Sequence, residues 1–379
     1  MLHNVRQKRV LIVSLVRKGG GFEHYIQSIL KHFTLPYTLY QSKYINPECK
    51  IPNAKYMITY TNKFSFVINT LFVLPFTFFK LCFITKQYDV LFLPHFHFWN
   101  LAFIFAFRIH KKPVVLVEHD GIVHLGDELP LQQYLINTCL KYATHLIFLT
   151  NYVKSLVDFK LLANKPIFII PHGIFAFEGL HTSPKHYTKQ PTLLFFGRVS
   201  KYKGIELLLE ALNTLPEESF HKCIIAGKSS YAYDVSHIKD SILKKIEVID
   251  AFLSQKEITA LFNQSHILIM PYIEASQSGV AAIGIANAIP TICTDVGGLK
   301  EQFILANSNG GGGANDESHH QTLCALICEP NAKSIATQIS HLIQNEKLYT
   351  KLSVATSIRS KELQWQHIAL LIQNVLQKA

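Results

Sequence analysis

The stretch Leu194-Phe-Phe-Gly-Arg-Val-Ser-Lys-Tyr-Lys-Gly-Ile-Glu-Leu-Leu-Leu-Glu-Ala-Leu212 decides the fold. It reads as a buried strand, a short loop and a helix. The apolar run from Leu193 to Phe196 ends in Gly197. Arg198, Lys201 and Lys203 follow in the loop, then Gly204. Ile205, Leu208, Leu209 and Leu212 recur at helical spacing, so one helix face is apolar. Parallel α/β sheets bind ligands at the C-terminal ends of their strands. An Arg and a Lys there, just before a helix N-terminus, suit a diphosphate: Arg gives a planar fork and Lys a point charge. The bland alternative is a solvated basic loop.

A second segment strengthens the phosphate reading. It runs Met270-Pro-Tyr-Ile-Glu-Ala-Ser-Gln-Ser-Gly-Val-Ala-Ala-Ile-Gly-Ile-Ala-Asn-Ala-Ile-Pro-Thr-Ile-Cys-Thr-Asp-Val-Gly-Gly-Leu-Lys-Glu301. His266 to Met270 is a short apolar strand, and Ser276, Gln277, Ser278 and Gly279 form a small polar loop. Val280 to Ala288 is suited to a helix packed tightly on a sheet. Pro290 stops that helix, and Thr291 to Thr294 makes the next strand. Small residues opening a helix expose backbone N–H groups that together form an anion nest.

Together the two segments resemble the donor-binding half of the family-4 glycosyltransferases, which have the GT-B fold. Weaker likenesses run along most of the chain. They are the glycine loop Gly19-Gly20-Gly21, Glu118-His119-Asp120, the hinge-like Ile170-Pro-His-Gly173, and Trp365 in the last helix. The resemblance implies two Rossmann-like α/β domains facing across a cleft, with a C-terminal helix crossing back to the first. The expected division is an acceptor-binding domain over 1–173, a linker over 174–190, a nucleotide-sugar domain over 191–358 and the returning helix over 359–379. The family places a glutamate on each side of the small-residue loop. Gapless registration puts them at Ala275 and Ile283, so Glu274 is the candidate substitute for the first and nothing acidic replaces the second. The Ser-Gln-Ser-Gly loop is read as marking a subgroup.

Composition sets the compartment and the partners. Half of the chain is apolar (49%), which excludes overall disorder. Residues 1–190 hold 21 Lys+Arg against 9 Asp+Glu, and the remainder 16 against 17, so the first half carries the whole net charge of +11. Such a half seeks anions: a membrane surface, a lipid-linked phosphate or nucleic acid. No nucleic-acid motif is present, so nucleic acid is not an expected partner. Seven Cys without a Cys-x-x-Cys pair suit reduced thiols in a cytoplasmic protein. The apolar run near the N-terminus is too short for a signal core and reads as the first strand. His319, His320, Cys324 and Cys328 match no zinc spacing, and no metal is expected. The stretch 307–320, with its run of glycines, reads as an inserted loop.

Phe64 to Ile84 is very apolar and long enough to span a bilayer. Asn69 and Lys80 would be costly in mid-membrane. A helix in the membrane interface is the preferred reading, a packed helix the next, and the flanking lysines favour an anionic surface. His95 and His97 follow one strand, Glu118-His119-Asp120 another, and His124 lies just beyond. Strand ends share a rim, so these residues are expected to form part of a site, which the resemblance implies is the acceptor's.

The resulting expectation is a hexosyltransferase-type enzyme. It would move a sugar from a nucleotide-diphosphate sugar to an acceptor hydroxyl on a saccharide or lipid-linked glycan, in cell-envelope polysaccharide or glycolipid synthesis. The resemblance implies retention of anomeric configuration. The charge on the leaving diphosphate would be met by Arg198 and Lys203, with no cofactor and no metal. Glu274 would bind a donor-sugar hydroxyl, and His119 and Asp120 would stand near the reacting centre. Gly20, Gly21, Gly197, Ser276, Gln277, Ser278 and Gly279 would contact the donor, and His95, His97 and His124 the acceptor. A nucleotide-sugar epimerase or hydrolase and a non-catalytic nucleotide-sugar-binding module are the rival expectations. The protein would lie in the cytoplasm, peripheral to the inner face of the membrane.

Overall fold

The computed structural model describes residues 6–16, 21–122, 131–306 and 322–379. Gly20, His124 and the expected inserted loop 307–320 lie outside them. The described chain forms two compact units, Met1–His172 with Trp365–Ala379, and Gly173–Gln364.

The first unit begins with β1 (Val10–Ser14), α1 (Gly21–Leu30), β2 (Tyr37–Ser42), β3 (Lys55–Met57), α2 (Lys63–Ile84) and β4 (Val90–Leu93). It continues with α3 (Asn100–Ile109), β5 (Val114–Glu118), α4 (Gln132–Tyr142), β6 (His145–Phe148), α5 (Asn151–Ser155), α6 (Phe159–Leu162) and β7 (Ile167–Ile169). Its seven strands are parallel, in the order β3-β2-β1-β4-β5-β6-β7. Helices cover a parallel sheet on both faces, so its central strands must be buried and largely apolar. β1, β4 and β5 are buried at every position. Trp99, Phe103 and Phe107 fill the core on the α3 side.

The second unit holds β8 (Thr192–Phe196), α7 (Ile205–Thr214), β9 (Lys222–Ala226), α8 (Asp240–Leu243), β10 (Ile246–Ile249), α9 (Gln255–Gln264) and β11 (Ile267–Met270). After these come α10 (Gly279–Ala286), β12 (Thr291–Thr294), β13 (Ala325–Cys328), α11 (Ala332–Gln344) and α12 (Glu346–Glu362). Its six strands are also parallel, in the order β10-β9-β8-β11-β12-β13. Residues 174–190 are tied down here. The Lys185 ammonium donates to the carbonyls of Phe262 and Asn263, its backbone N–H to Ser353 Oγ at 2.7 Å, and Tyr187 Oη to Ile343 O.

α12 ends at Glu362, and α13 (Trp365–Lys378) is the last helix, so residues 359–362 belong to α12. Leu363 breaks it by leaving helical geometry (φ −94°, ψ 15°). α13 belongs to the first unit and packs on α1. Gln373 fastens it, accepting from Thr34 N at 2.6 Å and donating to His32 O at 3.2 Å.

Candidate functional site

Each sheet has a switch point, where successive strands leave in opposite directions and their C-terminal ends open a crevice. In the second unit it lies between β8 and β11. The first segment singled out in the sequence follows β8 and the second follows β11, so the topology brings the two together. Contact is direct: Ile273 N donates to Tyr202 O at 2.8 Å. Gly204, at φ +68°, lies so close to β11's exit that a Cβ there would meet Pro271 O at 1.9 Å. Only glycine fits that backbone and that approach.

Lys201–Lys203 form a single 3₁₀ turn, and Gly204 opens α7. The turn points Lys203 inward: the residue is 8% exposed, with Nζ 3.6 Å from the centroid of the Tyr272 ring. Burial and the neighbouring Arg198 charge lower its pKa to about 7. The ring face attracts the cation and opposes that shift. Arg198 itself is exposed. A guanidinium in solvent near a buried lysine could meet a multivalent anion, whose charge would favour the lysine's protonated form.

Tyr272 carries the site onward. Its hydroxyl is 3.2 Å from Ser278 Oγ, and its carbonyl accepts from Thr294 Oγ1 at 2.6 Å. Ser278 caps α10, accepting from Val280 N at 3.2 Å. Its own N–H donates to Gln302 Oε1 at 2.7 Å, and Gln302 Nε2 returns a bond to Ser278 O at 3.1 Å. Gln302 O is in turn held by Arg359 Nε at 3.0 Å. The backbone N–H groups of Ser278 and Val280, which the sequence offered to a ligand, are therefore committed within the protein. What the loop can still offer is its side chains and the rest of its backbone. Gln277 is half-buried with its Oε1 unpartnered, Ser276 is buried, and Glu274 lies at the exposed start of the loop. Gly197, at φ +111°, lets β8 leave beside Val280 of α10. Ile283 is buried on α10.

Tyr272 and Gln302 were missed by sequence reasoning. Tyr272 stood in the quoted segment as an ordinary aromatic, and Gln302 lies 24 residues from the loop it pins.

In the first unit the switch point falls between β1 and β4. Ser14 Oγ and His95 Nε2 bridge it at 2.9 Å. His95 Nδ1 lies 3.0 Å from Phe96 O, which only accepts, so Nδ1 carries the proton and Nε2 receives the serine hydroxyl. Burial lowers the His95 pKa to about 4, which keeps the ring neutral. His119 Nε2 donates to Pro94 O at 2.8 Å, and burial lowers its pKa as well. In that neutral ring Nδ1 is the basic nitrogen. Phe22 of α1 joins the two histidines, its ring centroid 5.3 Å from His95 and 4.8 Å from His119. Asp120 follows His119 at partial exposure. His97 packs with a different set: it stacks on Tyr60 at 5.4 Å and accepts from Trp99 N at 3.2 Å. Gly21 opens α1. Glu118, quoted in the motif without a role, is buried. It accepts from the N–H groups of Asp120 and Gly121, and desolvation raises its pKa to about 7. Among the described residues no group of three His, Cys, Asp or Glu is placed to hold a metal ion.

Residues 177–357 match the family described as "Glycosyl transferases group 1". An uncharacterized glycosyltransferase of Methanocaldococcus jannaschii, MJ1178, is 24% identical over 273 residues, 70% of each chain. Among solved structures, a glycosyltransferase from Rickettsia africae matches with a TM-score of 0.67 at 17% identity, over 98% of both chains. Anabaena HepE, solved with UDP, matches with a TM-score of 0.70 at 15% identity, over 98% of this chain and 100% of that one. The fold is the two-domain α/β class of these GT-B structures.

Proposed function

Starting from the glycosyltransferase group 1 domain in its second unit, we propose that this protein transfers a sugar from a nucleotide-diphosphate sugar to an acceptor hydroxyl. The observation that carries the reading is the placement of Arg198 and Lys203 at the β8/β11 switch point, with Lys203 buried and poised near neutrality. HepE, a neighbour in fold, was solved with UDP-glucose, which supports a donor of that class.

In the reaction the bond from the anomeric carbon to the diphosphate oxygen breaks, and a bond to the acceptor oxygen forms. The electron pair of the broken bond adds one negative charge to the leaving diphosphate, and the acceptor hydroxyl's proton passes to solvent base. Arg198 and a protonated Lys203 meet that charge, an electrostatic stabilisation worth roughly 3–4 kcal/mol per well-placed donor. This chemistry runs without a metal. Ser276, Gln277, Ser278, Gly279 and Glu274 hold the donor sugar, Gly197 lets the backbone approach it, and Gly20 and Gly21 are proposed as further donor contacts. We assign retention of configuration, family-4 membership in the Ser-Gln-Ser-Gly subgroup, hexosyl transfer and a role in envelope polysaccharide or glycolipid synthesis to the same reading. The acceptor is a saccharide or lipid-linked glycan, met by His95, His119 and Asp120, with His97 and His124 as further contacts. A cytoplasmic location against an anionic membrane completes it.

The test is thermal stabilisation by UDP, GDP, ADP and their sugar conjugates, followed by product analysis with the donor that binds. One nucleotide should stabilise selectively, and Arg198→Ala or Lys203→Ala should abolish the shift while leaving the apo protein folded. Stabilisation surviving both substitutions would remove the phosphate site from the switch point.

A further inference from the structure

The outward face of α2 is the reverse of what water selects. Phe64, Ile68, Phe72, Phe76, Phe79 and Phe83 are each 38–75% exposed. Their spacing of three and four puts them on one stripe. A helix of this length lies along about 33 Å, so the stripe is one continuous exposed apolar strip. Neighbouring α3 extends it with Phe105 and Ile109, both exposed.

The inward face is firmly held. Leu81 is buried, and Val73, Leu74 and Phe78 pack on the core. Trp99 Nε1 donates to Thr70 Oγ1 at 3.0 Å, His110 Nε2 to Cys82 O at 2.7 Å, and Lys112 to Thr85 O at 2.8 Å. An Asn62–Ser65 capping box fixes the start. The helix is long and apolar enough to cross a bilayer, yet crossing would strip away these contacts and carry Asn69 and Lys80 into hydrocarbon.

Charge names the occupant. Residues 50–117 contain eight Lys or Arg and a single acid, Asp89, which is paired with Arg6 at 3.6 Å. Lys63, Lys80 and Lys86 lie on or beside the stripe, and Arg108 and Lys111 at the end of α3, all exposed. An apolar stripe bordered only by cations fits an anionic lipid surface, to which nearby Lys and Arg are attracted.

We infer that α2 lies in the plane of an anionic bilayer, with its phenylalanine stripe among the upper acyl segments and its flanking lysines on the headgroup phosphates. This deepens the membrane partner proposed above and rests on it, independently of the transfer chemistry. Tyr60 leads from this helix to the candidate acceptor rim, meeting Phe66 at 4.8 Å and stacking on His97. A headgroup-borne acceptor would thus enter beside the docked helix.

The test is flotation of the full chain with vesicles of phosphatidylcholine alone or mixed with phosphatidylglycerol. The mixed vesicles should capture the protein, and pure phosphatidylcholine at least about tenfold less. Phe72→Ser/Phe76→Ser and Lys63→Glu/Lys80→Glu should each lower capture by about tenfold or more. Nucleotide thermal shifts should be unchanged in both, which keeps failure of docking distinct from failure of the donor site. Three outcomes would overturn the inference. One is no capture by mixed vesicles at low salt, or equal capture by both kinds. Another is resistance to alkaline carbonate extraction, the mark of a spanning helix. The third is a dimer that Phe72→Ser/Phe76→Ser converts to monomer without changing lipid capture.

Discussion

The ammonium of Lys203 lies 3.6 Å from the centre of the Tyr272 ring, and the hydroxyl of that tyrosine lies 3.2 Å from Ser278 Oγ. One side chain therefore joins the basic loop after β8 to the small-residue loop after β11. Its ring attracts the charged lysine, and its hydroxyl steadies the residue that caps α10. Tyr272 is a positioning residue for both halves of the candidate donor site.

Replacing it in two steps separates those duties. Tyr272→Phe keeps the ring and loses the hydroxyl contact, so it should cost about 1 kcal/mol of stability and little nucleotide affinity. Tyr272→Leu loses the cation–π contact as well, a further ~1–2 kcal/mol from the charged lysine, and should weaken nucleotide binding roughly tenfold. Calorimetric titration of both variants checks this. Equal affinities would mean that Lys203 does not need the ring.

Binding should also move a proton. Lys203 titrates near pH 7 in the empty site because burial and Arg198 disfavour its charge. A diphosphate beside it favours the charge and raises the pKa. At pH 8, where the empty lysine is mostly neutral, nucleotide binding should therefore take up close to one proton. Titration in buffers of different ionisation enthalpy measures that number directly. Lys203→Met should reduce the uptake to near zero.

The sequence revealed the parts of this site that sit next to one another along the chain. Arg198 and Lys203 stand on a strand–loop–helix pattern that is unambiguous, because β8 is apolar from Leu193 to Phe196 and α7 has a clean apolar face. What stayed hidden depends on distant pairings. Gln302 acts on Ser278 only because the turn after β12 returns to α10. Ser14 meets His95 across 81 residues because β1 and β4 are neighbours in the sheet. Composition could not show which way the phenylalanines of α2 face, since the same residues would serve equally well in a core. The structure turns Leu81 inward and Phe72 and Phe76 outward, and the docking proposal starts from that orientation.

Two glycine substitutions should differ sharply in stability despite identical chemistry. Gly204→Ala puts a methyl group 1.9 Å from the Pro271 carbonyl oxygen, at a left-handed φ of +68°. Backbone must move to relieve it, and the expected loss is at least ~2–4 kcal/mol. Gly279→Ala meets only the Phe175 ring, at 3.3 Å, from within a helix that favours alanine. It should change stability by less than about 1 kcal/mol. Chemical denaturation of the two variants gives the comparison, and similar losses would refute the tight approach of β8 and β11 loops.

Glu118 predicts a pH dependence of opposite sign to that of the buried lysine. Desolvation raises its folded pKa from 4.5 to about 7, so the folded protein holds a proton that the unfolded chain releases earlier. Its contribution to stability is complete below pH 4.5 and is lost as pH rises through 7. Lys203, lowered from 10.5 to about 7, does the reverse: its burial penalty is complete below pH 7 and fades as pH climbs toward 10.5. Glu118→Gln should therefore flatten the fall in stability between pH 4.5 and 7 and leave the alkaline limb intact, whereas Lys203→Met should flatten only the rise above pH 7. Denaturation midpoints across this range, measured without nucleotide, decide both. A wild-type profile already flat from pH 4.5 to 7, unchanged in Glu118→Gln, would mean that the Glu118 carboxylate is solvated or paired in solution.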